Sequence, residues 1–434
     1  MPALVRTRLS VMMLVFYASL GTWAVTASTY LKAPAEEGGL QLSHAQVGWI
    51  YSTFAIGGIL ANPLVGLLVD RLFRAERVFG VAGIVSGLIL FGAGFWCDAS
   101  LVNLRHSTNP AELNAAVFGW LFVIMICYSF ALQIAMPLAT VLSLRNLRDP
   151  AHQFSRTRMF GTVGWVIIGL LLPNLVTVIS AQPFYLAGAL MLVAGVYGFT
   201  LPATPPKGTG KGLAEAFGVP ALALFKKRSF VVYISVAFVL SVTNQFYGVH
   251  GHPFLTERGF DHPERWMTIG QCLEVGCMFI IPLLKPAQTM KWLMLAGAVG
   301  GALRGAALAW GPDWLILGLG VPMHGWQFAF YFIVAATYID REAPAHLRGS
   351  TQAIAAFVGG GLGPLVGNMF ASRVLSSGAG WTTFWIWPMG ICALAAVAFA
   401  VFFRTPVRGT SPLIVPTRPQ VDEYIETEIP AQQA

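Results

Sequence analysis

A chain of 434 residues, 56% hydrophobic and only 11% charged, lies far from the soluble norm of about 25% charged, so lipid is the solvent for most of it. Its net charge of +8 would suit a nucleic-acid binder only if the bases lay together. They are dispersed among short connections between apolar runs, which excludes that reading and leaves an all-α integral membrane protein as the expected class.

Apolar runs of about 20 residues, the length that crosses a hydrocarbon core, recur at 9–31, 46–69, 78–97, 115–143, 159–179, 183–202, 229–254, 265–284, 290–310, 313–338, 347–372 and 381–403. They are twelve candidate transmembrane helices. Arg6 and Arg8 precede the first run as in a secretory signal, but the run exceeds a typical signal core and eleven more follow, so it is read as an uncleaved helix. After the second run comes "NPLVGLLVDRLFRAER", residues 62–77, with Gly66, Asp70 and Arg71 in a G-x-x-x-D-R spacing; the bland reading is ordinary basic punctuation. Residues 98–114 read as an outward loop. Gln133, in the fourth run, suits an interhelical hydrogen bond.

The fifth run, "RTRMFGTVGWVIIGLLL", sets Arg158, Thr162 and Trp165 at i, i+4 and i+7, one helical face descending about 10 Å. Either a cation, a hydroxyl and an aromatic line one wall, or Arg158 ends a basic cluster and the others pack. The connection after the sixth run, "TPPKGTGKGLAEAFGVPALALFKKRS", divides the runs six and six. Its "LAEAFGVPALALF" suits an amphipathic piece at the membrane surface. The expected organisation is a first half at 1–203, a linker at 204–228, a second half at 229–404 and a disordered tail at 405–434.

In the seventh run Gln245 stands beside Phe246 and Tyr247; His250 and His252 follow near its outer end with no fixed third ligand, so no metal site is expected. The eighth, "TIGQCLEVGCMFIIPLL", puts Gln271 and Glu274 on one face as i and i+3. An ionised side chain at that depth costs about 2.5–3.5 kcal/mol on insertion scales, so such residues face an interior and have a task. Arg304 in the ninth run reads as structural, paired with an acid or with carbonyls. The tenth run is aromatic, which suits packing or the faces of a planar ligand; Asn368 in the eleventh reads like Gln133. Cys97, Cys127, Cys272, Cys277 and Cys392 lie in or at the ends of the runs, without a disulfide framework.

Arg6 and Arg8; Arg71, Arg74 and Arg77; Arg145, Arg148 and Arg156; and Lys207, Lys211, Lys226, Lys227 and Arg228 all fall on one side of the alternating runs. Glu36, Glu37, Asp98, Glu112, Asp261 and Asp313 fall on the other. This is the positive-inside bias, which places both termini in the cytoplasm.

"LRNLRDPAHQFSRTRMFGTVGWVIIG", "QFYGVHGHPFLTERG", "MTIGQCLEVGCMFIIPLLK", "GALRGAALAWG" and "YIDREAPAHLRGSTQAI", in order from the fourth run to the eleventh, together resemble the nucleoside:proton symporter family of the major facilitator superfamily. The likeness is weaker in the first three runs ("LGTWAVTASTYL", then the D-R loop). The resemblance implies a twelve-helix transporter of two six-helix halves, with its substrate site near the bilayer midplane, that imports nucleosides with protons across the inner or plasma membrane. By its motifs the substrate site is Arg158, Thr162, Trp165, Gln245, Gln271, Glu274 and Phe328, with Glu274 coupling the proton and Gly66, Asp70 and Arg71 forming a conformational loop. Two positions depart from the pattern: Gly248 stands where the family has a site Asn, and Ala329 where it has an acid.

The expected partners are a small-molecule substrate, protons and the lipid bilayer, with no nucleic acid, cofactor or metal, and the chain is expected to act as a monomer. H-E-x-x-H and G-x-S-x-G are missing from the runs, so no enzyme is expected. A transporter of a sugar or other small polar metabolite is the alternative within the class. A ligand sensor that does not complete the transport cycle is the alternative outside it.

Overall fold

The structure, a computed structural model, describes residues 2–107, 110–206, 217–344 and 347–404. Lipid offers no partner to a backbone N–H or C=O, so a spanning chain must satisfy its own. Among the described residues every regular element is accordingly helical: α1 Pro2–Ala24, α2 Ala27–Lys32, α3 His44–Leu67, α4 Ala75–His106, α5 Pro110–Asn146, α6 Pro150–Leu175, α7 Gln182–Gly198, α8 Arg228–Glu257, α9 Pro263–Ile280, α10 Pro286–Trp310, α11 Asp313–Leu315, α12 Met323–Gln327, α13 Val334–Glu342, α14 Arg348–Ala356, α15 Gly363–Ser376 and α16 Trp381–Phe402. Wider π turns interrupt them at Leu68–Leu72, Ile316–Gly320, Phe328–Ile333 and Phe357–Leu362.

Local chemistry sets several starts. Ser43 closes α3 with a capping box, its hydroxyl accepting from Gln46 N while Gln46 Oε1 accepts from Ser43 N, which satisfies two first-turn donors. Pro183, Pro263 and Pro364 occupy first-turn positions of α7, α9 and α15, where a missing N–H is no loss.

The chain is a multi-pass integral membrane protein: ten helical stretches among the described residues are long and apolar enough to cross a hydrocarbon core. Two of the twelve expected runs differ. α7 has 17 residues, reaching about 25 Å at ~1.5 Å per residue, and the stretch from Asp313 to Glu342 is helical but broken by two π turns. The expected outward loop at 98–114 is corrected as well, since α4 runs on to His106 and α5 begins at Pro110. Its polar side chains find partners without leaving the helix: Tyr185 Oη donates to Asp98 Oδ2 at 2.8 Å and Arg105 Nε to Ala35 O at 2.9 Å. In the linker, Val219–Lys226 forms 3₁₀ turns that bury Ala221 and Leu224 and expose Leu222 and Phe225; residues 207–216 and the tail 405–434 lie outside the described residues.

With lipid as apolar as leucine, helices associate through close packing of small residues. α4 meets α7 in this way, with Gly83 so near Gly195 that a Cβ on the former would lie 2.8 Å from Cα of the latter. One apolar core draws its buried residues from Leu9 to Leu201, with Val249 added; two others draw theirs from Ala221 to Phe403 and from Phe246 to Trp385.

Between the helices of the first core, α1–α7, and those of the other two, α8–α16, here the first and second helix sets, the main contacts are α3 with α15 and with Phe357–Leu362, α6 with α9, and α2 with α8. The named polar ties among them lie toward one end. There Thr29 meets His252, Lys32 pairs with Glu257 at 3.6 Å, and Arg265 donates to Leu170 O and Asn174 Oδ1 at 3.1 and 2.7 Å. At the other end the named ties stay within each set: Arg74 and Thr204 N with Glu76 in the first, Lys227 with Glu342 in the second. The named polar ties across the seam thus close it at the end of Thr29 and His252, and the basic connections belong to the other end.

Candidate functional site

α6 and α9 face each other across the seam. In α6, a Cβ on Gly164 would collide with Leu14 O and one on Gly161 would lie 2.7 Å from the Tyr17 ring; the two glycines let α6 press against α1. Arg158, half-buried, is thereby laid over Tyr17, its guanidinium carbon 4.2 Å from the ring centroid. Thr162 is buried at 8% exposure, and the Trp165 ring is packed within 3.1 Å of where a Cβ on Gly21 would sit. The i, i+4, i+7 face thus serves both readings: Arg158 reaches the seam, while Thr162 and Trp165 also pack the α1–α6 contact.

From α9, Glu274 is partly buried and Arg158 is the charged group that acts on its carboxyl through space. Neither forms an ion pair within the described residues. A cation on one helix set and a carboxylate on the other thus influence each other without pairing. One turn away, Gln271 Oε1 is buried without a hydrogen-bond partner. On α8, the Gln245 amide has only a long 3.5 Å bond to Ser241 O. Gly248, one turn on, is exposed, and the one atom near a Cβ there would be Gln245 Oε1 at 3.7 Å; the glycine leaves open space. Phe328 is 38% exposed, its ring 5.7 Å from that of Phe332. Ala329 is fully buried in the core of the second set. Gly66 lies in the last turn of α3 and Arg71 in the following π turn; the side chain of Asp70 lies outside the described part.

The register of α9 depends on Gly325 of α12, where a Cβ would run into Gly270 O and lie 2.7 Å from Glu274 N. Gly325→Val is expected to destabilise the protein by at least about 1–3 kcal/mol through overpacking, lowering the midpoint of thermal unfolding in detergent. A variant that melts with the parent would show that α9 and α12 part easily.

Behind the site lies a cluster that the residue pattern does not announce. Arg304, 2% exposed, donates from Nη1 to Asn244 Oδ1 at 3.1 Å and approaches His324 Nδ1 at 3.3 Å, with its guanidinium carbon 5.4 Å from the Tyr247 ring centroid. Its partners are thus an amide and an imidazole, not the acid or main-chain carbonyls expected. The Tyr247 and His324 rings stack at 5.1 Å. Gln133 bonds across helices as expected, Nε2 donating to Phe54 O at 3.0 Å, whereas Asn368 Oδ1 is buried unpaired. His252 is bonded to Glu264, whose role nothing in its sequence context marks. Among the described residues no group of three potential ligands assembles for a metal.

The chain is similar over most of its length to several known proteins. It is 29% identical to the candidate nucleoside transporter YegT of Escherichia coli (strain K12), covering 92% of this chain and 93% of that one. It is 25% identical to the xanthosine permease of the same organism, covering 92% and 95%. The crystal structure of a mutant of the nucleoside transporter NupG superposes with a TM-score of 0.79 at 22% identity, over 92% of this chain and 100% of that one, so the two share the fold of the major facilitator superfamily. The profile of the family described as Nucleoside H+ symporter matches residues 4–408, and the chain belongs to that family.

Proposed function

We propose that this protein is a proton-coupled nucleoside importer of the inner or plasma membrane, working by alternating access as a twelve-crossing bundle of two six-helix halves, 1–203 and 229–404, joined by 204–228. The ten long helical stretches are completed by α7 and by the broken stretch from Asp313 to Glu342, which carries π turns of the kind frequent at functional sites. With the basic connections cytoplasmic, both termini are cytoplasmic, the closed end of the seam faces outward and the site opens inward.

One observation carries the reading: Glu274 on one side of the seam feels the Arg158 charge from the other without an ion pair, next to a buried Gln271 Oε1 that lacks a donor. A nucleoside suits such a site, because its base offers donors and acceptors at its edges and apolar faces to Trp165 and Phe328, while its ribose hydroxyls suit amides. That xanthosine permease and NupG are named for nucleosides supports the class. Gly66, Asp70 and Arg71, where α3 passes into its π turn, form the loop that changes conformation in the cycle.

Counterflow of labelled compounds in proteoliposomes, over a nucleoside and sugar panel, tests the proposal. Exchange of nucleosides but not sugars is expected; sugar exchange alone, or saturable binding without any exchange, overturns it. Gln271→Ala and Gln245→Ala are each expected to weaken nucleoside binding by about 1–3 kcal/mol, the penalty for a partner left unpaired. Calorimetric affinities equal to the parent's for both variants would move the site elsewhere.

A further inference from the structure

The closed end holds an acid and an imidazole that the substrate site does not use. Glu264, in the first turn of α9, and His252, near the end of α8, are 3% and 2% exposed. His252 Nε2 lies 3.0 Å from Glu264 Oε2, and its Nδ1 lies 2.6 Å from Thr29 Oγ1 on α2 and 3.5 Å from Thr256 Oγ1. Glu264 Oε1 receives no hydrogen bond and has the half-exposed His262 Nδ1 at 3.5 Å. From α6, Gly169 packs on Thr268 and the Glu264 main chain, while Arg265 is turned away to Leu170 and Asn174. Further along the same seam lie the Lys32–Glu257 ion pair and the His44 and His250 rings, 6.1 Å apart.

With a neutral imidazole, Nε2–H donates to the carboxylate, Nδ1 accepts from the Thr29 hydroxyl, and the buried pair carries one negative charge. With one more proton, the imidazolium donates from Nε2 to the carboxylate and from Nδ1 to Thr29 Oγ1, and the pair is neutral. The hydroxyl serves either state, since it both donates and accepts. Burial separates them, because an uncompensated charge away from water is costly while a paired one costs much less. His252 and Glu264 belong to the second helix set and Thr29 to the first. Opening the seam removes Thr29, admits water and makes the charged state inexpensive again.

We propose that His252 and Glu264 form a proton-binding site at this end, filled from the outer side when the seam is open and held when Thr29 closes over it. Closure and proton binding then favour one another reciprocally. This rests on reading the closed end as the outer one.

The test follows the seam by the distance between spin labels at Glu36→Cys and Asp261→Cys, both exposed, with the native cysteines replaced, in nanodiscs from about pH 5 to about pH 8. The ratio of closed to open molecules is expected to rise as pH falls, by up to about tenfold per unit for one proton. His252→Gln and Glu264→Gln should each flatten this dependence, while His262→Gln should leave it in place. Thr29→Val should lower the closed fraction at every pH, which keeps the proposal testable if the other variants fail to insert. An unchanged slope in His252→Gln, or an unchanged closed fraction in Thr29→Val, overturns it. Nucleoside counterflow on the same preparations separates the two readings: a parent without exchange overturns the transport proposal, and a parent that exchanges but shows a flat pH dependence overturns the proton site alone.

Discussion

Glu274→Gln protein in liposomes is expected to exchange labelled nucleoside across the membrane yet fail to accumulate it against a gradient. The amide keeps the shape of a protonated carboxyl and removes the titration. In the parent, Glu274 faces the Arg158 charge across the seam; rocking of the two helix sets changes that distance and the water around it, and with them the proton's hold. A membrane potential of 100 mV supplies about 2.3 kcal/mol per charge moved, a limit of about fiftyfold accumulation for a neutral substrate carried with one proton. Uptake and substrate-induced proton movement, parent beside variant, give the answer. Equal coupling in both proteins would make Glu274 a binding residue only. A parent that moves substrate without protons would be a facilitator, consistent with Ala329 at the family's acidic position.

Arg158→Ala is expected to reduce nucleoside binding by about 1.5–3 kcal/mol, the worth of a hydrogen bond to a charged group, and to slow uptake in proportion, while inserting normally. Insertion has other bases to rely on, with Arg145, Arg148 and Arg156 in the same connection. The Tyr17 ring holds the guanidinium through its face, and a planar fork grips a ligand edge in two places, so Arg158→Lys should recover only part of the loss. Parent-like uptake in well-expressed Arg158→Ala would assign the residue to topology.

Much of the candidate site was legible because lipid makes each polar residue at depth conspicuous. Glu274 and Gln271 stood out on α9, and the structure leaves one facing a cation and the other without a donor. Arg158, Thr162 and Trp165 were legible as a face but not in their division of labour. Which part of that face reaches the seam depends on how closely Gly161 and Gly164 let α6 approach α1, a matter of packing and not of period. Helix ends were the weakest reading. Asp98 and Arg105 looked like loop residues, and only their partners Tyr185 and Ala35, from elsewhere in the chain, explain why α4 continues.

Helical class, apolar spans and the candidate polar positions therefore follow from composition and spacing alone, since hydrocarbon leaves a spanning backbone few solutions and charges no neutral place. Tertiary structure decided the rest: the partners of Arg304, the closure of the seam at one end, and the joining of Thr29 to His252 across 223 positions of sequence. Such contacts depend on how two sets of helices lean on each other, and a residue's own neighbours in sequence carry no trace of that.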